Sequence, residues 1–266
     1  IMILPGAGTV GLDYYDVFAK AAEVGTAVLY DRRGTGWSDP VSLPRTPSEV
    51  VDELRLVLRA AALEPPFVLI GHSLGGGYAQ LYARRFPAEV AALLLLDPAH
   101  EDYPKYEPPS GRTEGEPVVD MAAWEPPPEV LRIFAALFAE KFAAYPSEVR
   151  DAVIGYHTTH WRAGILEASN LTAIYDDLRR PRPLGDIPLI VLTALAIDPG
   201  TRLFMPDEQQ RLLIEGKRRL NATIAAAVPR GENRELGDAC HSFMMAERPD
   251  AVAAALGDLL AMVRGG

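Results

Sequence analysis

The sequence predicts an α/β fold built on a mostly parallel sheet with helices on both faces. Three observations carry that expectation. Apolar runs at residues 1–4, 26–30, 67–70, 90–96 and 187–193 are nearly continuous, as strands buried on both faces are. Helical patterns separate the first of them, so strand and helix alternate along the chain. The run at 67–70 ends in Gly71-His72-Ser73-Leu74-Gly75 and opens at once into a helical stretch. In that strand–turn–helix context, Gly-x-Ser-x-Gly puts a serine on a strained bend with its hydroxyl clear of the sheet.

Taken in order, Ile1-Met2-Ile3-Leu4 starts directly in a strand-like run, so the natural gene product is expected to begin earlier. The second strand, at 26–30, leads into Asp31-Arg32-Arg33-Gly34-Thr35-Gly36-Trp37-Ser38. Thr46-Pro47-Ser48-Glu49 combines capping-box spacing with proline at the first helical position. Val50, Leu54, Val57, Leu58 and Ala61 then recur at helical spacing, which predicts a helix there. The third strand ends at the Ser73 bend, where side chains at positions 71 and 75 would collide with the turn and glycine removes the collision. A helix over 74–86 follows, and the free amides of its first turn favour negative charge developing near Ser73.

The strand at 90–96 ends at Asp97, and from 100 to 186 the composition shifts toward proline, acidic and aromatic residues. This predicts a largely helical insertion: residues 1–99 and 187–266 form a core, and 100–186 a cap. Phe134, Leu137, Phe138 and Phe142 fit one helical face, and His157, His160, Trp161 and Tyr175 lie further on. Such apolar stripes are expected to pack the insertion against the core, with some lining a pocket over Ser73. After the strand at 187–193, residues 206–226 read as one or two helices and 249–263 as an amphipathic terminal helix. A last strand is expected at 232–238, short or irregular because Glu-Asn-Arg-Glu-Leu-Gly-Asp has poor strand propensity.

The chain has 266 residues, of which 48% are apolar, enough for one large α/β domain with an inserted subdomain. Its formal net charge of -10 opposes binding to nucleic acid and to anionic membrane surfaces, so no nucleic-acid partner is expected. Cys240 is the only cysteine, which excludes an intrachain disulfide and a cysteine-based structural metal site. No apolar run approaches the roughly 20 residues that span a bilayer. A cytoplasmic protein without metal or cofactor is expected, acting on a small molecule.

Four features in sequence order resemble the α/β-hydrolase superfamily, and the likeness covers nearly all of the chain. Leu4-Pro5-Gly6-Ala7-Gly8 is similar to the family's oxyanion loop, with proline where histidine is commoner, and Asp31 to Ser38 to its turn after the next strand. Gly71 to Gly75 is similar to its nucleophile elbow. Ala239-Cys240-His241-Ser242, followed by Glu247-Arg248-Pro249, resembles its histidine segment before the last helix. The resemblance implies an α/β-hydrolase fold with a cap inserted after the sixth strand, and the chain order serine, acid, histidine.

Ser73 is then the candidate nucleophile, and it needs a histidine base held by a carboxylate. Of the five histidines, His241 alone occupies the position after the presumed final strand. For the acid, Asp198 follows the strand at 187–193 in what resembles the family's usual acid loop, with Ala194 where glycine is commoner. Asp97 is the alternative, because some members draw their acid from that earlier loop, although its carboxylate could instead bond backbone amides where the chain turns into the insertion. Backbone amides of Ala7 and Leu74 are the implied oxyanion donors. A serine at the elbow argues against the branches that open epoxides or displace halide through aspartate.

The implied reaction is cleavage of a carboxylic ester or related acyl bond through an acyl-enzyme. One alternative is a prolyl-aminopeptidase-like peptidase or amidase gripping a free amino terminus with Glu101, Asp102, Asp176 or Asp177. Another is a receptor-like protein that binds a ligand and turns over little.

Overall fold

Every strand pairing in the sheet is parallel. The computed structural model describes residues 1–106, 123, 125–180 and 183–265. Its strands are β1 (Met2–Leu4), β2 (Val28–Leu29), β3 (Phe67–His72), β4 (Val90–Leu96), β5 (Leu189–Ala196) and β6 (Gly231–Cys240), arranged in the order β2-β1-β3-β4-β5-β6. The helices are α1 (Tyr15–Ala22), α2 (Pro47–Ala60), α3 (Leu74–Arg85), α4 (Tyr103–Tyr106), α5 (Pro128–Lys141), α6 (Ser147–Thr159), α7 (Trp161–Ala168), α8 (Leu171–Arg179), α9 (Asp207–Ala226), α10 (Met244–Glu247) and α11 (Pro249–Gly265).

Alternation along the strands divides the core between the two faces. Met2, Leu4, Leu69, Leu93, Leu95 and Val191 face a layer with Leu54, Leu81 and Leu220 of α2, α3 and α9. Ile3, Ile70, Leu94, Leu96 and Leu192 face Val17 and Ala21 of α1 and Val252, Leu256 and Leu259 of α11. Burying both faces is what the continuous apolar runs require.

Locally specified elements form where expected. Thr46 caps α2, its Oγ1 accepting from the Glu49 amide at 3.3 Å while the Thr46 amide donates to the Glu49 carboxylate at 3.0 Å. Residues 206–226 resolve into the single helix α9. Two elements depart from the sequence reading. β2 is only two residues long. β6 is ten residues long despite its composition, because its backbone pairs with β5 from Leu189 opposite Gly231 to Ala196 opposite Cys240. Its polar side chains form ion pairs, Arg234 with Glu232 and Asp258, and Glu235 with Arg218. From Leu236 to Cys240 β6 advances four positions where β5 advances two, from Ala194 to Ala196, an irregularity immediately before His241.

Between β4 and β5 the described residues form α4 to α8; the proline-rich stretch at 107–122 lies outside the described residues. Counted in this chain, that segment follows the fourth strand, not the sixth. Its aromatic stripe packs against the rest of the molecule: Phe142, Tyr145 and Val153 share a buried cluster with Cys240 and Phe243. Parallel pairing sends the loops after β1, β3, β4, β5 and β6 out at one edge of the sheet, where ligands of open α/β sheets bind.

Candidate active site

Ser73 joins β3 to α3 with φ 50° and ψ −119°, in the left-handed half of backbone space that a non-glycine residue rarely adopts. Its amide donates to Leu96 O at 3.0 Å, and its carbonyl accepts from Gly76 and Ala99 amides at 2.9 and 2.8 Å, which hold the bend. The flanking glycines are required by close backbone contact. A Cβ at Gly71 would lie 2.7 Å from Gly75 O and Gly76 Cα, and one at Gly75 would lie 2.1 Å from Leu4 O. The bend carries Ser73 Oγ to 3.1 Å from His241 Nε2, while His241 Nδ1 lies 2.7 Å from Asp97 Oδ2. With Nδ1–H donating to the carboxylate, Nε2 is the acceptor for the serine hydroxyl.

The carboxylate on His241 is therefore Asp97, where the sequence reading preferred Asp198. Asp97 follows β4 directly, with φ 47°, and is buried. Asn221 Nδ2 donates to its Oδ1 at 2.9 Å, and the Lys217 ammonium bonds Oδ2 beside His241. Burial alone would push the Asp97 carboxyl up; the Lys217 charge and the bond from His241 outweigh it and hold the group well below the usual carboxylate range. Lys217 and Asn221 stand four apart on α9, the spacing that aims two side chains at one point. That spacing was the available signal, and sequence reasoning missed it.

Asp198 lies two residues beyond β5, and local amides consume its carboxylate. Oδ1 accepts from Gly200 and Thr201 at 2.9 and 3.1 Å, and Oδ2 from the Ser242 amide at 3.0 Å. It thus braces the residue after His241 without meeting the imidazole.

The loop after β1 presses against the bend: a Cβ at Gly6 would lie 2.8 Å from His72 Nδ1 and 3.2 Å from Ser73 Cβ. The Gly6 amide donates to Tyr14 Oη at 3.0 Å, Tyr14 O–H to His72 Nδ1 at 2.7 Å, and His72 Nε2–H to His241 O at 2.9 Å. This direction of donation needs a neutral His72. Burial, reinforced by the neighbouring His241 ring, lowers its pKa to about 3. The amides of Ala7 and of Leu74, the first residue of α3, meet no acceptor among the described residues.

A cavity of about 370 Å³ opens over Ser73 and His241, walled by Lys217, Asp198, Tyr103 and Tyr175 among others. A second, apolar cavity of about 270 Å³ lies between Gly8 and the aromatic side chains Phe134, Phe138, Trp161 and Phe204. The acids considered for gripping an amino terminus are engaged elsewhere. Glu101 pairs with Arg84, Asp102 with Lys105, Asp176 with Arg179 and Asp177 with Arg180, and none lines the Ser73 cavity. His157 bonds Asp13 at 2.8 Å, and His100 Nδ1 accepts from the Asp102 amide at 3.1 Å. Among the described residues, no group of three or more His, Cys, Asp or Glu side chains is arranged to hold a metal ion, and no helix is long and apolar enough to cross a membrane.

Comparison with known proteins bears on the family and the fold. The chain is 28% identical to the monoacylglycerol lipase of Mycolicibacterium smegmatis over 67% of its own length and 69% of that protein's. It spans only 21% and 40% of the length of two other curated relatives, uncharacterized proteins of Schizosaccharomyces pombe and Bacillus subtilis. An esterase of Thermogutta terrifontis superposes with a TM-score of 0.63 at 19% identity, covering 98% of this chain and 89% of that one. At such identity the superposition speaks for the fold alone. The sequence pattern of the alpha/beta hydrolase family extends over residues 1–255, from the first strand through the elbow and His241 into the last helix, and the chain belongs to that family.

Proposed function

We propose that the chain is a serine hydrolase that cleaves a carboxylic ester, or a related acyl bond, of a small molecule through an acyl-enzyme intermediate. The observation that carries this reading is the continuous line from Ser73 Oγ through the His241 ring to a buried, ionised Asp97. The lipase name of a relative that aligns over two thirds of the chain supports it.

In the proposed reaction, Ser73 Oγ attacks the acyl carbon as His241 Nε2 takes its proton. Asp97 fixes the tautomer and stabilises the imidazolium. The amides of Ala7 and Leu74, with the positive end of α3, stabilise the tetrahedral oxyanion; one such donor contributes about 3 to 4 kcal/mol. His241 then returns the proton to the departing alcohol, and a water activated in the same way releases the acyl group and restores Ser73. Asp97 fills the acid role first assigned to Asp198, and the described helices α4 to α8 form the cap, with Tyr103 of α4 and Tyr175 of α8 walling the cavity. The ion pairing of Glu101, Asp102, Asp176 and Asp177 gives the peptidase reading no support.

Labelling with a fluorophosphonate followed by peptide mapping, together with a panel of small aryl esters and arylamides, tests the proposal. The label is expected on Ser73, with ester turnover, and both are expected to disappear in Ser73→Ala. Ester hydrolysis that survives that substitution would overturn it.

A further inference from the structure

We infer that Glu167 of α7 and Arg32, after β2, are positioning residues that hold the Ala7 amide ready for an oxyanion, an inference that rests on the acyl-transfer reading above. The two side chains make a buried, two-pronged ion pair: Arg32 Nε meets Glu167 Oε1 at 2.8 Å, and Nη2 meets Oε2 at 2.9 Å. They are 2% and 6% exposed. Two more of the guanidinium's donors go to the loop after β1, with Nη1 to Pro5 O at 2.6 Å and Nη2 to Gly6 O at 2.8 Å. Glu167 Oε2 accepts from the Gly8 amide at 3.0 Å.

The pattern around Ala7 is what singles out this pair. The residue before it has its amide on Tyr14 and its carbonyl on Arg32; the residue after it has its amide on Glu167. Ala7 N–H, between two engaged amides, is the donor left without an acceptor among the described residues. A short loop tied on both sides of one peptide unit has little freedom to turn it, which is the preorganisation an oxyanion donor needs. The contact also comes from the insertion. Gly8 has φ +71°, and a Cβ there would lie 2.8 Å from Gly164 Cα, so α7 sits backbone to backbone on the loop. Lysine in place of Arg32 would lack the planar fork that meets a carboxylate and two carbonyls together.

The test begins with unmodified protein and fluorophosphonate: no label on Ser73 defeats the acyl-transfer reading, and this inference with it. If Ser73 is labelled, Glu167→Gln and Arg32→Lys are compared with the parent protein. The first removes the charge with little change of shape. The second keeps a positive charge but loses the fork to Glu167, Pro5 O and Gly6 O, and decides the matter if the first fails to fold.

For 4-nitrophenyl butyrate, kcat is expected to fall roughly 10- to 100-fold with KM changed less than about threefold, because displaced donors act on the transition state. Affinity for phenylboronic acid, which forms a tetrahedral anion on the serine, is expected to fall in proportion, while the butyl ether of 4-nitrophenol binds as before. Boronate affinity within about twofold of the parent, or equal losses for boronate and ether, would overturn the inference while leaving Ser73 chemistry intact.

Discussion

Two carboxylates stand near His241, and each has its own work at the scale of single residues. Asp97 meets the imidazole, while Asp198 holds the Ser242 amide. Asp97→Asn keeps the shape but lets the imidazole take the wrong tautomer, so kcat/KM for an aryl ester is expected to fall by about 10³- to 10⁴-fold. Asp198→Asn keeps an oxygen for the nearby amides and is expected to cost no more than about tenfold. Steady-state hydrolysis by the two variants checks the ranking, and the opposite order would return the acid role to Asp198. Lys217 beside the same carboxylate opposes the upward push of burial and favours its charged form.

The elbow shows how a secondary-structure junction sets function at the scale of elements. Ser73 holds a positive φ because the Leu96 carbonyl, α3 and the loop after β1 enclose it. Gly75→Ala puts a methyl against the Leu4 carbonyl, which cannot move without displacing β1 and the loop beyond it. Overpacking of about 1 to 3 kcal/mol is expected, read as a lower urea midpoint, with loss of Ser73 labelling. An unchanged midpoint with normal labelling would contradict that close contact.

The elbow and α2 were legible in the sequence because their determinants are local: glycines at fixed offsets, and a capping box four residues long. β6 was only partly legible, since what holds Glu232 to Asp238 extended is the distant backbone of β5 and not its own propensity. The choice of Asp97 was hidden for a similar reason. Its partners Lys217 and Asn221 come from a helix more than a hundred residues away.

At the scale of the whole molecule, stability should depend on pH through the buried relay that joins the loop after β1 to the segment carrying His241. His72 holds that relay as a neutral ring, with a folded pKa of about 3 against an ordinary 6.5. The unfolded chain therefore binds a proton that the native protein refuses. The contribution is fully present above about pH 6.5 and is lost as pH falls toward 3, at about 1.4 kcal/mol per pH unit. Asp97, depressed below its ordinary value, adds a second loss only at pH values under about 4. Urea unfolding at pH 7, 6 and 5 should show a steeper decline for the parent protein than for His72→Gln; parallel curves would rule the relay out as the source.

The uneven count between β5 and β6 carries a geometric consequence. A slip of one residue in that ladder moves a strand about 3.3 Å lengthwise and turns its side chains to the opposite face. The surplus residues of β6 between Leu236 and Cys240 therefore act as a spacer, and the length of that spacer, more than any side chain within it, decides whether the imidazole arrives opposite the hydroxyl or faces away from it.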